Sequence, residues 1–266
     1  ITAYEILSGL VGSEMCIRDS SHPALLDWLA NEFVRSGWSV KHIHKLILES
    51  ATYRQSSQRT DSRASDPDAI LLSRFPMRRH DAEVIRDRIL QASGSINLQM
   101  GGPGIHPYID EEIIGSGTTR KWPQVNHETP EHWRRSIYIF SRRSVPFPLL
   151  EAFDAPVTTS SCSRRITTTV PTQALQLLNS RFTNDQSLEM AQQLIQEHDG
   201  NRRTLIKHAY LRVLGRLPSS EELRLGLELL AEAEKLHGSN DSGKLLLSIQ
   251  DLCHVLINLN EFVFMQ

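Results

Sequence analysis

The last third of the chain carries one apolar pattern after another at helical spacing, and this feature limits the fold most. Ser219 with Glu222 and Thr183 with Gln186 have the spacing of capping boxes, and each pair precedes an apolar stripe. Gly215 is suited to end the helix that precedes Ser219. Helices with one apolar face bury it by packing together, so the sequence predicts a bundle. The predicted stripes are Leu188, Ala191 and Ile195; Leu205, Ala209 and Val213; Leu223, Leu227 and Leu230; and Leu245, Ile249, Leu252 and Leu256.

A helical hairpin is predicted near the start of the chain. Pro23 suits a first helical position, and Gly37 suits a left-handed helix end. Ser39 can cap a second helix directly afterwards. Because the connection is so short, the two helices are expected to lie antiparallel.

The hairpin is followed by a loop and two further predicted helices. Residues 55–65 are rich in Ser, Arg, Gln and Asp, a composition typical of loops. Asp66 and Pro67 are predicted to start a short helix around Ile70 and Leu71. Residues 81–94 predict another helix, which ends at a glycine.

The middle of the chain lacks a helical pattern. From Gly101 to Trp133, Gly, Pro, Thr and His alternate with isolated aromatic residues, which predicts a long loop. Residues 135–140 alternate apolar and polar side chains in the manner of a short strand. The predicted fold class is therefore mainly α, a multi-helix bundle with a long irregular central loop and at most a short β element.

The first twenty residues resemble translated sequencing-adapter DNA. Gly9–Ser20 can be encoded by one continuous string similar to a transposase-based library adapter. We therefore expect residues 1–20 to be an adapter-derived artefact and residues 21–266 to form a single helical domain that is truncated at its N-terminus. The join would also explain why the chain as written carries no signal peptide.

The charges of the chain are balanced. Lys and Arg total 29 and Asp and Glu total 31, and removal of residues 1–20 makes the two classes equal. No overall charge attracts the domain to nucleic acid, so no nucleic-acid partner is expected. No apolar run approaches the roughly 20 residues of a membrane-spanning helix. Because the charges balance overall, any anion-binding site must be formed by a local cluster of cationic side chains.

Adjacent arginines concentrate in the middle of this neutral chain. Guanidinium groups bind carboxylate, sulfate or phosphate through two parallel hydrogen bonds, so convergence of the pairs would create an anion-binding cleft. The alternative is that each arginine forms an internal ion pair with a nearby acid, namely Asp81, Glu83, Asp87, Glu151 or Asp154. The candidate anion-binding residues are Arg78, Arg79, Arg134, Arg135, Arg142, Arg143, Arg164 and Arg165.

Cys162 is a candidate reactive thiol. Arg164 and Arg165 follow it closely, and adjacent guanidinium groups lower a thiol pKa. No histidine near it in sequence suggests a base, so an inert thiol is the alternative, and pairing with Cys253 stays open. The common hydrolase, phosphate-binding and haem-attachment motifs do not occur, so catalytic residues stay unidentified and neither a metal site nor a cofactor is predicted for this chain.

A series of short motifs resembles one family over residues 21–266. The family is the planctomycete cytochrome-C-associated C-terminal domain, Domain of Unknown Function fifteen-fifty-three. The ordered series is more specific than any single motif. The motifs are Ser21-His-Pro-x-Leu-Leu-Asp-Trp28, Ser50-Ala-Thr-Tyr-Arg-Gln-Ser56, Arg135-Ser-Ile-Tyr138, Phe153-Asp-Ala-Pro156, Ser161-Cys-Ser-Arg-Arg165, Pro171-Thr-Gln-Ala-Leu175 with Leu178-Asn179, Leu214-Gly-Arg216 and Leu259-Asn-Glu-Phe262.

The resemblance implies the context of the domain more than its chemistry. Such domains close long exported proteins, so a periplasmic, cell-surface or extracellular location is expected. The parent protein would carry a c-type cytochrome domain and a second domain of unknown function upstream, with haem c in the cytochrome domain. The family's context also links it to polysaccharide use.

Two hypotheses for the function follow. In the first, the domain is a non-catalytic accessory module whose arginine pairs bind anionic polysaccharide or the upstream domains of its parent protein. In the second, it is an enzyme of unrecognised type, best taken as a hydrolase acting on glycans around Cys162, the arginine pairs and the long loop.

Overall fold

A computed structural model describes residues 20–57, 66–67, 69–114, 122–123, 125–156, 165, 167–198, 200–237 and 241–265. The chain divides into two compact units, residues 1–78 with residue 266, and residues 79–265. The described residues form helices and one two-stranded sheet, which confirms the mainly α class. The helices are α1 Pro23–Arg35, α2 Val40–Glu49, α3 Ala82–Ala92, α4 Glu111–Ile114, α5 Pro148–Ala152, α6 Pro171–Asn179, α7 Arg181–Glu197, α8 Arg202–Leu214, α9 Ser220–Leu236, α10 Asp241–Ile257 and α11 Asn260–Val263, and the strands are β1 Arg78–Arg79 and β2 Phe264–Met265.

The first unit contains the predicted helical hairpin, α1 and α2. Pro23 opens α1, and Gly37 after it has a left-handed backbone with φ of 71°. The Ser39 hydroxyl caps α2 by accepting the N–H of His42 at 3.3 Å. The start, turn and cap that the sequence predicts are therefore confirmed.

The short helix predicted around Ile70 and Leu71 is wrong, because residues 69–77 form turns and irregular backbone. The Asp66 carboxylate accepts the N–H groups of Ile70 and Leu71 at 2.9 and 3.0 Å. Ala69 and Leu72 have left-handed φ angles of 52° and 55°. A side chain that binds nearby N–H groups offers the backbone an alternative to helical hydrogen bonds, and here that alternative prevails.

The second unit is built on a bundle of α7, α8, α9 and α10, with α3 packed against α7 and α8. The core of the bundle contains fully buried side chains, among them Met190, Leu194, Leu205, Leu230 and Ile249. The predicted bundle is therefore confirmed, and it places the middle of the chain against a rigid helical base.

Two of the predicted helix boundaries in the bundle are confirmed and one is wrong. Ser219 and Glu222 form the reciprocal capping box of α9, and Gly215 ends α8 with φ of 72°. The predicted Thr183–Gln186 box does not start α7. Ser180 is the cap instead, and its hydroxyl accepts the Thr183 N–H at 3.2 Å.

The described residues of the central part are irregular apart from short helices, in line with the predicted loop, but the strand predicted at residues 135–140 is wrong. Residues Ser136–Tyr138 form a 3₁₀ turn flanked by isolated bridges, Asn97 to Arg134 and Ile105 to Ile139. The reason is tertiary: the Asp87 carboxylate on α3 accepts both the N–H and the hydroxyl of Ser136, at 2.7 and 2.6 Å. These bonds hold the chain in a turn where local alternation favours a strand.

Candidate functional site

Arg79 is enclosed by acceptors within the second unit. Its side chain is 3 % exposed, and its guanidinium donates to the Asp154 carboxylate at 2.7 Å. Asp154 also accepts the N–H of Thr168 at 2.7 Å. Burial acts to raise the pKa of Asp154, but the hydrogen bonds from Thr168 and Arg79 together lower it. Further acceptors of the guanidinium are the carbonyls of Phe153, Thr168 and His80. Arg79 is therefore an internal tie.

Arg134 holds the glycine-rich segment 99–104 in place. The residue is 2 % exposed, and its guanidinium donates to the carbonyls of Gln99, Gly101 and Pro103, the last at 3.0 Å. It also lies 3.9 Å from the centre of the Tyr138 ring. Its donors are directed at backbone oxygens, so its main role in this geometry is to shape a loop.

Arg135 and Arg165 contact the acids on or near α3. Arg135 lies 3.8 Å from Asp87, and Arg165 donates to both oxygens of Glu83 at 2.7 and 3.0 Å. Burial acts to raise the pKa of Glu83, while its hydrogen bonds with Arg165 and its own backbone lower it. Arg165 also lies 3.5 Å from Asp81. These contacts match the alternative in which arginines pair internally.

The remaining residues of the arginine and cysteine predictions fall in different places. Arg78 is exposed on β1. Arg164 and Cys162 lie outside the described residues, so the anion-binding and reactive-thiol predictions for them stay predictions. Cys253 is a free thiol fully buried in α10, where burial raises its pKa far above the usual range. It is therefore an unreactive core residue.

Arg142 and Arg143 line a cleft of about 220 Å³, which we call the arginine cleft. Arg142 is partly buried and Arg143 is exposed, so this pair reaches solvent where Arg79 and Arg134 do not. The carboxylate of Glu151 on α5 lies on the same cleft. The rest of its lining is largely apolar, namely Ile139, Phe140, Pro146, Phe147, Leu150, Ala155 and Pro156, with Ser141.

A stacked pair of rings stands beside the arginine cleft. His106 and Phe140 stack with centroids 4.9 Å apart and planes 30° apart, and the buried Trp122 meets His106 edge-on at 5.0 Å. Burial, the charge of Arg142 and the neighbouring His132 lower the pKa of His106. The imidazole is therefore neutral at physiological pH and adds no cation to the cleft.

Arg86, on α3, is the buried polar residue that sequence reasoning missed. It is fully buried, and it donates to the carbonyls of His132 and Arg134 at 2.7 and 3.0 Å. Burial lowers its pKa to about 10, against the raising effect of Glu128 and Asp87. A signal was present, since position 86 lies one helical turn before the apolar Ile89 and next to Ile85. Arg86 fixes the central segment to α3.

Two of the motifs quoted above meet at Arg216. Its guanidinium donates to both oxygens of Glu222, at 2.9 and 2.6 Å, and to both oxygens of Glu261, at 2.6 and 2.7 Å. The hydrogen bond from Arg216 is the main cause that lowers the pKa of Glu222 to about 2. The pair of bidentate contacts joins the end of α8 to the starts of α9 and α11.

The fold and these contacts define a class of protein: a mainly helical domain whose irregular central segment, tied down by arginines, forms small polar clefts. In the part of the chain that the structure describes, no three His, Cys, Asp or Glu side chains are grouped to hold a metal ion. Nor does any helix there have the length and apolarity to cross a membrane.

The chain belongs to the family described as protein of unknown function (DUF1553), whose model matches residues 15–230. The match covers most of the chain and agrees with the resemblance that the motifs carry. No curated protein and no solved structure matches the chain.

Proposed function

We propose that this domain is an accessory binding module and that the arginine cleft holds the acid group of a carbohydrate. The observation that supports it is the contrast among the predicted arginines that the structure describes. Arg79 and Arg134 direct their donors at buried oxygens, whereas Arg142 and Arg143 together line a cleft and reach solvent. The N–H fork of a guanidinium group matches the two oxygens of a carboxylate through parallel hydrogen bonds.

The other lining residues favour an acidic sugar over a simple inorganic anion. Phe140 and Pro156 offer apolar surface to the C–H face of a sugar ring. The carboxylate of Glu151 accepts hydrogen bonds from hydroxyl groups, which a sugar supplies and an inorganic anion such as sulfate lacks. The cleft is smaller than the roughly 300–1,000 Å³ of pockets for drug-sized ligands, so it fits about one sugar unit. A uronic acid meets all these conditions.

Isothermal titration calorimetry with galacturonate oligosaccharides tests this proposal. The double variant Arg142→Ala/Arg143→Ala should bind at least about tenfold more weakly than the wild type, because charge-assisted hydrogen bonds contribute about 1.5–3 kcal/mol each. The matched control is Arg202→Ala/Arg203→Ala, which removes the same charge from α8 and should leave the affinity unchanged.

The outcome that contradicts the proposal is equal binding by the cleft variant and the control, or no binding of any galacturonate oligosaccharide by the folded wild-type protein. A parallel titration with sulfated galactose oligosaccharides distinguishes the acid group. Preference for sulfate over carboxylate would overturn the assignment to uronic acids.

We also propose, from the family resemblance, that the domain belongs to an exported planctomycete-type protein with a cytochrome c domain upstream. The hairpin of the first unit supports contact with a partner domain, because Trp28, Trp38 and Leu48 on it are each at least half exposed. Haem staining and peptide mass spectrometry of exported proteins from the source organism test this context. A parent chain without haem, or one retained in the cytoplasm, would contradict it.

A further inference from the structure

A second cleft, of about 320 Å³, adjoins the glycine-rich segment, and we call it the histidine cleft. His106 and His132 both line it, together with the exposed Glu131. The Nδ1 atom of His132 accepts the N–H of Thr129 at 3.0 Å, so the N–H of this ring is on Nε2. The cleft thus offers donors and acceptors, while the guanidinium of Arg134, which also lines it, donates to backbone carbonyls. This composition is suited to hydroxyl groups.

The wall of the histidine cleft is held rigidly. Gly101 and Gly102 have φ angles of 78° and 84°, a backbone that side chains with a Cβ rarely adopt. Arg134 gathers the carbonyls of this segment, and the Tyr138 hydroxyl accepts the Gly101 N–H at 2.8 Å. The cleft is therefore preformed, which lowers the entropy cost of ligand binding.

The two clefts share the stacked rings of His106 and Phe140 as a common wall. Phe140 lines the arginine cleft, His106 lines the histidine cleft, and the rings are 4.9 Å apart. The backbones beneath them are joined, since Ile105 donates to Tyr138 at 2.7 Å and accepts from Phe140 at 2.9 Å. Phe140 is 46 % exposed, so the top of the wall is open to a ligand that crosses it.

We propose that the histidine cleft is a second subsite, which binds the neutral hydroxyl-bearing sugar next to the acidic sugar in the arginine cleft. The ligand class is then an acidic oligosaccharide of at least two units, with its chain crossing the His106–Phe140 wall. This inference rests on the proposed function, because the acid group anchors the chain. The carboxylate of Glu131 and the imidazole of His132 supply the contacts to hydroxyl groups.

Chain-length dependence of affinity tests the second subsite. In calorimetry with glucuronic acid and with di- and trisaccharides in which glucuronic acid is linked to neutral xylose, the wild type should gain at least tenfold in affinity from the monosaccharide to the trisaccharide. Glu131→Ala should lose most of that gain and keep the affinity for the monosaccharide, whereas His106→Ala, which removes the ring stacked on Phe140, should weaken the binding of both ligands. Glu131 is exposed, so its variant folds even if His106→Ala does not, and His208→Ala on α8 is the matched histidine control.

The possible results separate this inference from the proposal on which it rests. Equal affinities for the monosaccharide and the trisaccharide in the wild type would overturn the second subsite and leave the arginine cleft standing. An equal loss for both ligands in Glu131→Ala would overturn it as well. Failure of every ligand to bind would overturn both proposals.

Discussion

Replacement of Asp154 by asparagine tests the internal arginine ties most sharply. Asp154 has a left-handed backbone with φ of 60°, which asparagine tolerates, so the change removes charge without backbone strain. The guanidinium of Arg79 then stays buried without its carboxylate. Removing one partner of a buried ion pair costs about 3–5 kcal/mol, and since the Asp154 side chain is 23 % exposed we expect about 3 kcal/mol.

Urea unfolding at neutral pH, followed by circular dichroism, measures this loss as a lower midpoint at unchanged slope. Asp185→Asn is the matched control, because this carboxylate is 61 % exposed, pairs with Arg181 at 3.4 Å and should contribute about 0.5 kcal/mol. The folded pKa of Asp154 is lowered, so its contribution is present above the unfolded pKa and is lost as pH falls below about 4. If Asp154→Asn loses no more stability than the control, the reasoning is refuted.

Three further predictions concern other buried contacts. Burial and Arg88 lower the pKa of His80 to about 4, so the unfolded chain binds the proton first and the free energy of unfolding falls as pH drops below 6.5. Because His80 is only partly buried, solvent screening reduces the roughly 3 kcal/mol that this difference implies to about 2 kcal/mol by that pKa, and this part of the loss, measured by urea titrations, should be absent in His80→Asn. A double-mutant cycle of Arg216→Ala and Glu261→Ala should give a coupling free energy of about 1 kcal/mol, and zero coupling would contradict a stabilising Arg216–Glu261 ion pair. Iodoacetamide should label Cys253 after unfolding, whereas labelling of the native protein, read by peptide mass spectrometry, would contradict its burial.

Helix ends could be predicted where the decisive partners are close in sequence. Ser219 and Glu222 cap α9 by contacts within four residues, and Gly215 ends α8 by its own backbone. The turn that replaces the predicted strand at residues 135–140 could not be predicted from neighbouring residues. The Asp87 carboxylate that turns the chain at Ser136 lies 49 residues earlier, so local alternation carries no trace of it.

The candidate site, like the fold, could be predicted from the sequence only in part. The sequence identifies the arginine pairs and also the acids that contact Arg79, Arg135 and Arg165, because opposite charges attract one another. The sequence does not identify which arginine pair lines a cleft. That choice depends on contacts such as Arg79 to Asp154, which are 75 residues apart, and on the stacking of Phe140 on His106.

The most direct test of the central claim, that Arg142 and Arg143 form a binding site for an acidic sugar, is a nuclear magnetic resonance titration. Amide shifts of the ¹⁵N-labelled protein are followed as trigalacturonic acid is added. Binding in the arginine cleft should move the resonances of Phe140–Arg143 and of Leu150 and Glu151 and leave those of α8 and α9 in place. Shifts confined to α8 and α9, or no shifts at saturating sugar, would contradict the account.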